Sequence, residues 1–176
     1  MLDWYYYEES DDNHYVYDGN EQEYELKTFN IPLKGGKSVE FKVKHTVHGP
    51  VLNSFLDEKY TDDFDNDIVL APRWTANNIT YELIAVYGFN HAKNRAEFNQ
   101  SSVYFHNPGQ NFVYADIEGN IAMRPTGLVP IREGNGTFPY DGSNGEGEWT
   151  SYTSLEDLPK AVNPDQHYLA SANQIS

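Results

Sequence analysis

"NFVYADIEGNIAMRPTGLVPIR", residues 111–132, decides how the rest of the chain is read. Apolar and polar positions alternate on both sides of Glu118-Gly119-Asn120, which has the chemistry of a tight turn. A period of two around such a turn is the signature of a β-hairpin. Two residues do not belong to a plain hairpin. Arg124 is costly to bury, and Pro125 has no N–H to give a ladder. The hairpin is therefore expected to hold something besides itself.

Further strands are expected on either side. Residues 3–8 and 14–17 are aromatic runs separated by the acidic turn Ser10-Asp11-Asp12-Asn13, with a second turn at 18–20. "YELKTFNIPL", "KGGK" and "VEFKVKHTV" (24–47) read as strand, glycine turn and strand, with Val39, Phe41, Val43 and Val47 on one face. Residues 53–67 are an acidic loop. From Thr80 the period lengthens, and Leu83, Ile84 and Tyr87, then Phe98, Ser102 and Phe105, fit two short helices joined near 90–94. Residues 133–149 are glycine-rich loop. "SLEDLPKAVNP" allows one helical turn with Ser154 as its N-cap, and 167–173 reads as a last strand. The fold class is α+β, with mainly antiparallel strands flanking a central helical pair.

The totals limit what such a fold does. The 176 residues suit one segment or domain, and 15% of them are aromatic, including 14 Tyr. Tyr buries a broad ring while keeping its hydroxyl wet. With 12 basic against 27 acidic side chains the net charge is −15, which repels nucleic acid and anionic membrane surfaces. No apolar run approaches the ~20 residues of a membrane-spanning helix, and Cys is absent. Both ends break off inside strand-like stretches, so a segment of a longer chain is expected. The cut faces and strand edges of such a piece favour self-association.

The metal-like motifs are weak. His45 and His48 lie three apart, which in a strand points them to opposite faces. The acidic run at Asp62, Asp63, Asp65 and Asp67 lacks an EF-hand's Gly and Glu, since Ile68 and Trp74 stand at those positions. No GxSxG, phosphate loop or CxxC occurs. The sequons at Asn78, Asn99 and Asn135 are short enough to arise by chance in so Asn-rich a chain.

Taken together and in order, "TVHGPV" (46–51), "RWTA" (73–76), "AEF" (96–98), residues 110–132, "GEWTSYTSLEDLPKAVNP" (147–164) and "YLASANQ" (168–174) resemble the penicillin acylase (penicillin amidase) family of N-terminal-nucleophile hydrolases. The resemblance covers nearly all 176 residues. It implies a segment of an αββα sandwich and the hydrolysis of N-acylated small molecules through an acyl-enzyme. It also implies a precursor (a zymogen) that cleaves itself to expose a Ser at the head of the β subunit, whose own α-amine acts as base. The matched region begins downstream of that Ser, so the isolated chain is expected to be inactive, with the other α and β subunit segments as its partners. An extracytoplasmic location and a part in antibiotic biosynthesis also follow from the resemblance alone.

Residue by residue, Asn173 matches the Asn whose side-chain amide donates to the oxyanion. Gln174 stands where a second Asn is frequent. Val86 and Gln110 match positions lining the acyl pocket, where the former is usually a larger aromatic ring. Leu2 and Asp3 match a stretch giving a backbone carbonyl and a carboxylate to a structural calcium, with the companion upstream Asp missing. No cofactor is required for the reaction. Arg124 and Arg132 are expected at the pocket side or sheet edge, with pairing to the acid-rich surface as the alternative for Arg132. The non-enzymatic alternative is a stand-alone acidic β-rich binding module, with calcium dependence as one form of it.

Overall fold

Alternation and turn chemistry place strands much as expected in the computed structural model, which describes residues 1–56 and 67–172. In chain order these form β1 (Leu2–Asp11), β2 (His14–Tyr17), β3 (Asn20–Glu23), β4 (Glu25–Pro32), β5 (Ser38–His45), β6 (Ile68–Trp74), α1 (Glu82–His91), α2 (Arg95–Ser102), β7 (Asn111–Ala115), β8 (Ile121–Pro125), β9 (Pro130–Ile131), β10 (Tyr140–Asp141), β11 (Ser151–Tyr152) and β12 (Ala161–Val162). The class is α+β with two adjacent helices. Among the described residues strand pairing is antiparallel except where β1 meets β10. Asp62, Asp63 and Asp65 lie outside the described residues.

The chain divides into two units, each assembled from separated stretches. One comprises Leu2–Trp74 and Arg132–Glu148. Its centre is β1, which pairs with β6 along its first half, with β10 at Tyr5 and Tyr6, and with β2 through a bulge between Glu9 and Asp11. Period two sends Asp3, Tyr5 and Tyr7 inward. There the two tyrosines meet Tyr15, Tyr24, Val69 and Ala71 to form a core made largely of tyrosine.

Buried hydroxyls need partners. The Tyr5 hydroxyl donates to the Gly147 carbonyl at 2.5 Å, and the Tyr15 hydroxyl accepts from Val47 N at 2.9 Å. Tyr7 bonds His48 Nδ1. The His48 ring stacks on Tyr5 at 3.7 Å and meets Tyr17 edge-on at 5.9 Å. His48 Nε2 lies 2.7 Å from Glu148 Oε1, while Glu148 also accepts from Tyr17 at 3.0 Å and Arg73 at 3.1 Å. Desolvation pushes His48 down to about 4, with Glu148 opposing, so the imidazole is neutral near pH 7. The "HG" of the sequence is steric as well as polar. A Cβ on Gly49 would collide with the Pro72 carbonyl.

Two expectations are corrected here. β6 falls where no strand was expected, because "IVLAPRW" has no alternation and carries Pro72. Among the described residues β1 is its only strand partner, and this leaves room for a residue lacking N–H at Pro72. Within 133–149, expected as loop, β10 and a 3-10 turn at Gly142–Asn144 pack on β1, and a Cβ at Gly142 would strike the Tyr7 ring.

The other unit comprises Met1, Thr75–Ile131 and Trp149–Ser176. α1 and α2 pack through Phe89 and Phe98, whose rings stack at 4.7 Å, and Phe89 reaches Phe112 of β7 at 4.7 Å. Asn94 caps α2 by accepting from Glu97 N at 3.0 Å. The hairpin β7–β8 carries β12 on its far edge.

Candidate active-site segment

The β7–β8 hairpin is closed by one carboxylate. Asp116 Oδ1 accepts from Glu118 N at 3.0 Å and Asn120 N at 2.9 Å, while its Oδ2 accepts from Asn120 Nδ2 at 2.9 Å and the Tyr114 hydroxyl at 3.0 Å. Those donors, Asn120 first, hold the Asp116 carboxyl below its ordinary range. Gly119, at φ 86°, supplies the left-handed residue of the turn.

The hairpin then grips the following chain at two points. Arg124 is 5% exposed and donates to Glu156 Oε1 at 2.7 Å, with Lys160 Nζ 2.5 Å from Glu156 Oε2. These cations, Arg124 foremost, lower the Glu156 carboxyl to about 2. Asn163, at φ 44°, is the second grip. Its N donates to Ile121 O at 2.9 Å, its Oδ1 accepts from Ile121 N at 2.8 Å, and its Nδ2 donates to Asn120 Oδ1 at 2.9 Å. This answers what Arg124 is for: it ties down 154–163, the approach to "YLASANQ". Arg124 therefore sits on the central strand of its sheet and not at a free sheet edge.

On either side of Asn163 the expectations fare unevenly. Residues 154–157 make one hydrogen-bonded turn, with Ser154 Oγ accepting from Glu156 N at 3.2 Å, and not a helix. The expected strand at 167–173 is not formed among its described residues, 167–172. A strand needs a ladder partner, and what fixes this stretch instead is a side-chain bond, Asn111 Nδ2 to Ser171 Oγ at 3.1 Å. Asn173, the expected oxyanion donor, lies outside the described residues.

Gln110 is exposed at the mouth of a cleft of about 680 Å³ that Asn111, Thr126, Val129, Leu158 and Ser171 also line. Its backbone is fixed, because the Gln110 carbonyl accepts from Thr126 N at 2.8 Å and Thr126 Oγ1 at 3.2 Å. Val86 stands on α1, 44% exposed, and is not among the residues lining that cleft. Asp3, the expected calcium carboxylate, is 1% exposed and faces Arg132 with both oxygens: Nη2 donates to Oδ1 at 2.9 Å, and Nε lies 2.5 Å from Oδ2. The acid that Arg132 meets is thus a buried one.

Residues 1–176 match the family model described as penicillin amidase. The chain belongs to that family. Among curated relatives it is 29% identical to an acyl-homoserine lactone acylase of Pseudomonas fluorescens over 162 residues, and 28% identical to penicillin G acylase of Escherichia coli over 163 residues. These alignments take in 92% and 91% of this chain but 19% and 18% of the relatives, so it spans about a fifth of their length. Among solved structures it superposes on a thermostable penicillin G acylase from Alcaligenes faecalis with a TM-score of 0.80 and 24% identity, over 99% of this chain and 31% of that one. That likeness bears on the fold, which is the penicillin acylase fold. The family's members named here are hydrolases that act as acylases or amidases.

Asn120, Glu156 and Asn163 were not singled out in the sequence. The "GN" turn and the "NP" pair were visible, but nothing local says that the two Asn side chains bond each other across 43 positions.

Proposed function

We propose that this chain is the part of an N-terminal-nucleophile amidohydrolase that carries the oxyanion donor and some of the acyl-pocket wall. The nucleophilic Ser and its α-amine belong to sequence outside residues 1–176. The reading is carried by one observation: the family match runs the whole length of the chain and includes the "YLASANQ" segment, whose approach is bolted to the hairpin by Asn163 and Arg124.

The chemistry follows from the parts. The Ser hydroxyl attacks the carbonyl carbon of an N-acylated small molecule, and its proton passes to the enzyme's own α-amine, a base with a pKa of roughly 8. As the C=O opens, negative charge gathers on oxygen, and the neutral Asn173 amide donates to it. Collapse breaks the C–N bond, the amine leaves with the proton, and an ester remains on Ser. Water then cleaves that ester by the same path in reverse order of proton transfer. An oxyanion donor works only if its neighbours hold it to within ~0.5 Å, which is the task we assign to the hairpin and its two grips.

Specificity falls to Val86 and Gln110. A valine leaves more room than an aromatic ring, and an exposed glutamine makes the wall polar. In the intact acylase, Val86→Trp is expected to shift preference toward shorter acyl groups, raising KM for a long-chain amide roughly 10-fold or more against a short-chain one. The experiment is a pair of kcat and KM measurements on one short and one long acyl amide. A variant that changes thermal stability and leaves the ratio of kcat/KM values untouched removes Val86 from the pocket.

A further inference from the structure

Asp3 invites a cation by its chemistry. It is a carboxylate 1% exposed, on the central strand β1, and a buried negative charge must be matched. The match is already made from within the chain. Arg132 Nη2 donates to Oδ1 at 2.9 Å, and Arg132 Nε stands 2.5 Å from Oδ2, a charge contact without an aligned N–H. The guanidinium is itself nearly enclosed, its side chain 9% exposed. Gly136, at φ 72°, closes over the pair so tightly that a Cβ there would sit 2.5 Å from both Asp3 Oδ1 and Arg132 Nη2. Gly136 N is held in turn by the Tyr140 hydroxyl at 2.8 Å, next to the β10 ladder on β1.

A calcium ion does not fit this arrangement. It needs six to eight oxygens at about 2.3–2.6 Å, and it is dipositive. Here the carboxylate lone pairs point at a guanidinium that keeps its charge at any ordinary pH, so an added ion would meet repulsion at close range. Among the described residues no three His, Asp or Glu side chains gather to offset it.

We propose that Arg132 is the resident cation of Asp3: the guanidinium neutralises, from inside this chain, the carboxylate that would otherwise take a divalent ion, and this unit folds without calcium. The inference stands apart from the hydrolase reading, since it concerns folding and not turnover.

The test uses the full 176-residue chain and its Asp3→Asn variant, each unfolded by heat in excess EGTA and in millimolar calcium chloride. The expected result is that calcium moves the midpoint equally in both, by zero or by the same small surface effect. A calcium-dependent rise in the wild type that Asp3→Asn abolishes overturns the proposal. The positive arm is Arg132→Met. Leaving one buried charge unmatched is expected to lower the folded-to-unfolded ratio about a hundredfold or more. Adding Asp3→Asn to Arg132→Met is expected to restore most of it, because the stranded charge is then gone. Failure of that second change to restore anything also overturns the proposal. If Arg132→Met does not fold, Arg132→Lys keeps the charge and the comparison of EGTA with calcium is repeated on it, with the same two readings.

Discussion

Asn173→Ala in the intact acylase is expected to lower kcat by ~100–1,000-fold while KM changes little, since an oxyanion donor acts mainly in the transition state. In free energy this is about 3–4 kcal/mol of transition-state stabilisation. Asn173→Asp should be at least as damaging, because it sets a carboxylate against the charge it should stabilise. The measurement is steady-state kinetics on a chromogenic phenylacetyl amide, with kcat and KM separated. A variant with wild-type kcat makes Asn173 a turn residue and ends the oxyanion assignment. Loosening the Asn163 grip should act in the same direction but less strongly, through placement and not through the loss of the donor.

The second large effect is on stability and is driven by acid. His48 is neutral and buried, stacked on Tyr5 of β1 and bonded to Tyr7, with Tyr17 of β2, Arg73 of β6 and Glu148 around it. Its folded value of about 4 lies below the ordinary 6.5. Between those two values the unfolded chain binds the proton more readily, so stability is complete above pH 6.5 and falls as pH drops toward 4. The fall is about 1.4 kcal/mol per pH unit and roughly 3 kcal/mol in total. Many carboxylates also titrate in this chain, so the quantity to measure is a difference. Urea unfolding of the wild type and of His48→Gln is compared from pH 7 to pH 4. The wild type should lose more stability across that window; parallel curves would show that His48 is not the group being charged.

What could be read from sequence was what is local. The hairpins β1–β2, β4–β5 and β7–β8 carry alternation and turn residues within one short stretch, and the glycines of "KGGK" sit at φ 97° and 80° as such a turn requires. The helices announced themselves by their longer period. β6 did not, because its run from Ile68 to Pro72 is apolar at every position and so shows no alternation, and because it carries a proline. The strand expected at 167–173 is not formed over its described residues, 167–172, for the opposite reason: their composition suits a strand, but a strand also needs an edge to pair with. The pairs that matter most are the least local. Asp3 meets Arg132 across 129 positions, and Tyr5 meets Gly147 across 142. A lone acid, arginine or glycine carries no mark of its distant partner. His48 was met in the sequence only as half of a rejected metal pair and within "TVHGPV", because Glu148 and Arg73, which close its cluster, had no local signal. Asn173, Val86 and Gln110 were legible only through resemblance, never through spacing.

On the proposed function, this chain supplies the oxyanion donor of an acyl-transfer site whose nucleophile lies elsewhere. The most direct test is to react the intact acylase with an aryl sulfonyl fluoride until activity is lost, then locate the adduct by peptide mass mapping. A single sulfonylated Ser at the head of a processed subunit is expected, outside residues 1–176, with no adduct on this chain. Inactivation that tracks an adduct on a residue within 1–176 would contradict the proposed function.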